Sequence, residues 1–188
     1  MRKFIEQSWL ILTLGVVFAV LLAGAQTSLA PRIDANLTRA LNEAIGQVVP
    51  GVAKTESLMV PGYDRAVYKC LGRDGQLVGW AIDASGAGFA DKIRLVAGLS
   101  PDTTRITGLK VIENVETPGL GNKIADESWA RQFRGLEADR RVAVQKRPPA
   151  AERNEVQAIT GATISSRAVA DIVSDALDRV RPGLAGLR

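Results

Sequence analysis

The chain has 188 residues, 46% of them hydrophobic, and a net charge of only +4. That composition suits one membrane-type segment plus one domain large enough to bury a core. With no histidine and a single cysteine, Cys70, the sequence excludes a Ser-His-Asp triad, a histidine-based zinc or haem site, an internal disulfide and any cysteine cluster for zinc or iron–sulfur.

Trp9 through Ala25 is apolar apart from Thr13, and Leu29 and Ala30 extend the run. This is the short end of a spanning helix and longer than the usual apolar region of a signal peptide. Ala23-Gly24-Ala25 has the small-x-small form of a cleavage site, whereas Pro31 disfavours cleavage after Ala30; the reading preferred is an uncleaved anchor over residues 1–30. Arg2 and Lys3 precede the span, which puts the N-terminus in the cytoplasm and the C-terminal domain on the extracytoplasmic (periplasmic) side of the inner membrane. Residues 31–65 are expected to be a helical connector. There Leu37, Leu41, Ile45 and Val48 share one face, Asp34 or Asn36 is the candidate N-cap, and Pro50-Gly51 ends the helix.

From residue 66 the hydrophobic period changes. Ala66–Leu71 reads as a strand, Arg73–Gln76 as a tight turn and Leu77–Ile82 as the return strand. Lys92–Leu99 and Arg105–Ile112 form a second pair joined through Pro101-Asp102. Cys70, within the first strand, reads as a small buried hydrophobe. Helical signals return over Asp126–Phe133, Val142–Val144 is a short strand, and Pro148-Pro149 marks a loop. The last helix starts near Ile164, carries Val169, Ile172, Val173, Ala176, Leu177 and Val180 on one side, and is expected to stop at Pro182-Gly183. Arg131, Arg134, Arg140, Arg141, Lys146 and Arg147 lack interleaved aromatics and read as a solvated face rather than a nucleic-acid patch. The fold class is α+β: one N-terminal transmembrane helix, then a domain (66–188) with an antiparallel sheet and flanking helices.

Two constellations carry chemistry. Glu116-Thr117-Pro118-Gly119-Leu120-Gly121 links a strand to a helix; its proline and glycines suit either a ligand-contact loop or a plain connector. Thr160-Gly161-Ala162-Thr163-Ile164-Ser165-Ser166 opens the last helix. Its hydroxyls suit either an N-cap or an anion carried on the unpaired amides of a helix N-terminus.

In this order and separation the two motifs resemble the FMN-binding domain family, as does the run Ser85-Gly86-Ala87-Gly88-Phe89 through Val96-Ala97-Gly98-Leu99. The resemblance covers about Val67 to Arg179. With the apolar segment in front, the whole chain resembles the anchored members of that family in Rnf-type ion-translocating electron-transport complexes, and it is similar to those of sodium-translocating NADH:quinone reductases. The resemblance implies FMN joined by a phosphoester to the hydroxyl of Thr163. A separate flavin transferase using FAD would make the bond, and the other membrane subunits of the complex would be the partners. It implies cofactor contacts from Thr160, Gly161, Ala162, Ser165 and Ser166, and from Glu116, Thr117, Pro118, Gly119, Leu120 and Gly121 along the isoalloxazine or ribityl part. It implies no catalytic acid–base residue and no metal. Two positions depart from the family: Gln157 stands where relatives often have an acid, and Asn114-Val115 where they often have a histidine. The alternatives are an FMN-binding subunit of another extracytoplasmic reductase and an anchored interaction module without cofactor.

Overall fold

The structure, a computed structural model, describes residues 2–150, 153–184 and 186. It forms two compact units, Met1–Ala40 and Leu41–Arg188. Helix α1 (Arg2–Val48) supplies the first and enters the second. It runs through Pro31 without the fresh helix start expected at Asp34 or Asn36; Asn36 instead accepts a bond from Arg39 one turn on, 3.2 Å away. From Ser8 onward this helix is long and apolar enough to cross a membrane. Trp9, Leu10, Ile11, Leu12, Leu14, Phe18 and Leu22 are all more than half exposed. The two threonine hydroxyls near this apolar stretch are satisfied within the helix: Thr13 donates to the Trp9 carbonyl at 2.8 Å and Thr27 to that of Ala23 at 2.9 Å. An apolar surrounding therefore meets no unpaired hydroxyl at either residue.

The second unit is an antiparallel meander, β1 (Lys54–Met59), β2 (Ala66–Leu71), β3 (Leu77–Ala87), β4 (Lys92–Leu99) and β5 (Ile106–Glu113), each strand paired with the next in sequence. β1 lies in the connector segment beyond the helix end expected at Pro50-Gly51, where no strand was expected; its exposed, mixed-charge sequence Lys54-Thr55-Glu56 gave no clean alternation to reveal it. After β5 come the short α2 (Glu127–Ala130), flanked by 3-10 turns at 121–125 and 131–133, and a parallel pair, β6 (Ala143–Gln145) with β7 (Glu155–Gln157). Helix α3 (Thr163–Leu184) closes the fold.

Strand alternation sorts the sheet's side chains into two cores. Trp80, Ile82 and Ala84 of β3 and Ile93, Leu95, Ala97 and Leu99 of β4 face Val169, Val173, Leu177 and Val180 of α3, together with Ile124, Trp129 and Phe133. Trp129 and Phe133 meet edge to face at 5.4 Å. On the opposite face, Cys70, Ala81 and Val96 pack under Leu41, Ala44, Ile45 and Val48. Burial pushes the Cys70 thiol up to about 12, so it sits there as a neutral, inert group. Buried Asp83 binds both Arg65 (2.9 Å) and Arg94 (2.8 Å), and that pairing raises the Arg94 guanidinium above its usual range. The stop expected at Pro182-Gly183 falls inside the last turn of α3. A Cβ on Gly183 would lie 2.5 Å from Val60, so this glycine serves close helix packing rather than termination.

The end of α1 approaches the sheet closely because Gly98 and Gly108, directly paired across β4 and β5, carry no side chains. A Cβ on Gly98 would sit 2.4 Å from the Val48 carbonyl oxygen and 2.4 Å from Thr107 Oγ1, the hydroxyl that donates to that carbonyl at 2.6 Å. Gly98→Ala is therefore expected to lower unfolding stability by about 2–3 kcal/mol through overpacking. Gly46→Ala, at a helical site with nothing within 4 Å, should raise it by up to about 1 kcal/mol. Denaturant midpoints measure both; equal behaviour of the two variants would refute the close-approach account.

Candidate functional site

The corner before α3 is shaped by its own backbone. Gly161 adopts φ +82°, a left-handed turn that glycine tolerates. The Ala162 amide donates to the Ile159 carbonyl at 2.9 Å, and the Ala162 carbonyl accepts both the Ser166 amide (3.0 Å) and the Ser166 hydroxyl (2.9 Å). Ser166 Oγ in turn accepts the Ile159 amide at 3.0 Å. This buried serine is spent on closing the corner.

Ser165 is also turned inward. Its hydroxyl donates to Glu116 Oε2 at 2.6 Å. Glu116 is 4% exposed. Its other oxygen accepts the amides of Phe89 (2.8 Å) and Ala90 (3.1 Å). One carboxyl group thus gathers the β3–β4 turn, the loop after β5 and the start of α3. Two glycines make room for it: a Cβ on Gly88 would lie 2.3 Å from Glu116 Oε1, and one on Gly121 would lie 2.8 Å from Oε2.

Above this latch lies a groove of about 540 Å³, lined by Phe89, Thr117, Leu120, Gly121, Lys146, Gly161, Ala162, Thr163, Ile164 and Ser165. Its volume falls in the range of small-molecule and cofactor sites. Phe89, Leu120 and Ile164 present apolar side chains that are 61%, 44% and 58% exposed. A smaller cavity of about 190 Å³ adjoins it, lined by Thr160 and again by Lys146, Gly161 and Thr163. Other grooves, two of about 290 Å³ and one of about 390 Å³, are lined by mixed charges. Among the described residues no cluster of histidine, cysteine or carboxylate side chains fits a metal ion.

The structure brings together seven of the twelve expected site residues along the groove: Thr117, Leu120, Gly121, Gly161, Ala162, Thr163 and Ser165. Thr160 lines the neighbouring cavity. Glu116 and Ser166 lie in the interior, and Pro118 and Gly119 are on an exposed turn with Gly119 at φ +77°. Thr163, half-buried, borders both cavities, and among the described residues its hydroxyl makes no hydrogen bond. Gln157 does not itself line the groove, although it touches Lys146, which does. Its backbone is held by Trp129 Nε1 and Gln132 Oε1, both at 2.8 Å, and its amide donates to the Lys146 carbonyl at 3.4 Å. Sequence reasoning missed Phe89, Lys146 and Ile164. Ile164 was detectable as an apolar residue off the buried stripe of α3, and Phe89 as an aromatic beside a glycine run; Lys146 gave no such sign.

Residues 88–178 match the family described as FMN-binding domain. The G component of the ion-translocating oxidoreductase complex of Methanosarcina acetivorans is 31% identical over 173 residues, which are 89% of each chain. The G component of the Na(+)-translocating ferredoxin:NAD(+) oxidoreductase complex of Acetobacterium woodii is 40% identical over 97 residues, 51% of this chain and 46% of that one. The crystal structure of NqrC from Shewanella oneidensis shares the fold with a TM-score of 0.55, at 23% identity over 66% of this chain and 64% of that chain.

Proposed function

The chain belongs to the family of G components of ion-translocating oxidoreductase complexes, and on that premise we propose that it is an electron-transfer subunit carrying FMN as a phosphoester on Thr163. The observation that carries this reading is the placement of Thr163. Its hydroxyl opens α3 without a protein partner among the described residues, on a groove shared with the Thr117–Gly121 loop. The neighbouring serines are already committed, Ser165 to Glu116 and Ser166 to the Ala162 carbonyl.

The residues present fit the group. Phe89, Leu120 and Ile164 offer apolar surface to a planar ring. The first amides of α3 have no intrahelical acceptor, and the helix dipole favours an anion at this end. In the attachment step the Thr163 oxygen bonds to the flavin-side phosphorus of FAD. The pyrophosphate P–O–P bond breaks, AMP leaves, and the hydroxyl proton passes to solvent; a flavin transferase supplies the catalysis. When bound, FMN supplies one- and two-electron transfer, while the protein orients it and sets its surroundings. No acid–base pair is required of this chain, in keeping with a sequence that lacks histidine. Residues 1–30 serve as an uncleaved anchor, Arg2 and Lys3 keep the N-terminus in the cytoplasm, and the remaining domain works on the extracytoplasmic side beside the other membrane subunits.

The test is mass spectrometry of the full chain made alongside a flavin transferase. The peptide containing Thr163 is expected to carry the mass of FMN less water. An unmodified peptide from a membrane where the transferase is active would sink the assignment.

A further inference from the structure

The basic stretch from Arg131 to Arg147 is not uniform. Arg147 binds Glu155 through two nitrogens, at 2.9 and 3.2 Å. Arg141 reaches Asp175 (2.8 Å) and Asp178 (3.1 Å), and Arg140 reaches Glu137 (2.8 Å). Arg131 and Arg134 donate to the carbonyls of Ser128 and Thr107. Lys146 differs from all of these: among the described residues its ammonium has neither a hydrogen-bond nor an ion-pair partner. Among the described residues it is also the sole charged one lining either cavity that borders Thr163.

Its position is built by the fold. β6 ends at Gln145 and runs parallel to β7, which leads directly into the Thr160–Thr163 corner. The Ala158 amide donates to the Gln145 carbonyl at 2.7 Å, and the Gln157 side chain donates to the carbonyl of Lys146 itself. These bonds fix the Lys146 backbone on both sides while its side chain stays exposed. Gln157 suits this task because the Lys146 carbonyl needs a donor; a carboxylate at that position would offer only acceptors.

We infer that Lys146 is the cation that pairs with the phosphate of the nucleotide on Thr163, an inference that rests on the FMN reading above. A phosphodiester between threonine and the ribityl chain holds one negative charge at neutral pH. It would lie at the junction of the two cavities that Lys146 and Thr163 both line. The ammonium and the unpaired amides of α3 then act on the same anion from two sides.

The experiment uses the full chain in detergent, made without transferase, and compares FMN with riboflavin, which shares the ring and lacks the phosphate. Lys146→Met is expected to weaken FMN binding about tenfold, the low end of the range for one charge-assisted hydrogen bond, and to leave riboflavin binding unchanged. Lys146→Arg should restore FMN binding, and raised KCl should narrow the wild-type preference for FMN. In the loaded protein, the phosphorus-31 resonance of the diester should move in Lys146→Met and return in Lys146→Arg. A parallel loss of both flavins, an undiminished FMN affinity, or a resonance unmoved by Lys146→Met overturns the pairing. A wild-type chain that neither becomes loaded nor binds FMN overturns the FMN reading itself. A loaded chain whose FMN preference and resonance ignore Lys146 overturns the pairing alone.

Discussion

A Thr163→Ala chain made alongside a flavin transferase is expected to run on a denaturing gel without flavin fluorescence, while Thr163→Ser and Thr160→Ala keep it. Thr163 is the first residue of α3 and half-buried, and its hydroxyl binds no described group. Alanine is the best helix former, so the substitution should change folding stability by no more than about 0.5 kcal/mol. The loss is then chemical: a missing nucleophilic oxygen in a corner whose backbone is unchanged, since Gly161, Ala162 and Ser166 set that backbone. The sharpness of the result comes from the other hydroxyls. Ser165 and Ser166 are 2% and 0% exposed and engaged, which leaves Thr160 as the rival acceptor. Fluorescence that survives in Thr163→Ala and disappears in Thr160→Ala would move the attachment point and refute the assignment to Thr163.

The second large effect is expected at Glu116. Glu116→Ala removes the acceptor for the Phe89 and Ala90 amides and for the Ser165 hydroxyl. Leaving buried donors unpaired, added to the loss of hydrogen bonds to a carboxyl group, is expected to destabilise the domain by about 3 kcal/mol. For a unit of this size that lowers the melting temperature by about 6–12 °C. Glu116→Gln keeps one oxygen for the two amides and offers its NH2 group to Ser165 Oγ, so it should lose about 1 kcal/mol. Thermal unfolding followed by circular dichroism separates the two. Equal melting temperatures for wild type and Glu116→Ala would show that the latch contributes nothing. The groove should suffer alongside stability, because Phe89, Leu120 and Thr163 belong to the three segments that this one side chain ties together.

The regular parts of the fold were legible in the sequence because each obeyed a clear period. β2 to β5 alternate between two cores, and Val169, Val173, Leu177 and Val180 mark the buried side of α3. β1 was hidden by charged residues, and β7 by its length of three residues. At the site, the two motifs were read as units, yet the fold divides each by direction. Thr117 and Leu120 face the groove while Glu116 turns under it, and Thr163 borders the groove while Ser166 closes the corner behind it. Nothing in a linear motif distinguishes these directions, because they depend on where Gly88 and Gly121 admit a carboxyl group. Lys146 was beyond reach for another reason. Its neighbours Arg141 and Arg147 are surface cations satisfied by acids, and only the parallel β6–β7 pairing separates its fate from theirs.

The two margins of the meander are finished differently. The start of β5 is roofed by residues 135–138, through bonds such as Ile106 N to the Leu136 carbonyl (2.9 Å) and Ala138 N to the Thr104 carbonyl (2.8 Å). β1 borders the sheet with no further strand beside it among the described residues. Its Lys54–Glu56 ion pair, at 2.8 Å, lies on that rim, where long charged side chains discourage a second copy from adding its own strand. Wherever such domains crowd side by side, they would have the most reason to stick along this border, and it is the border that carries charge.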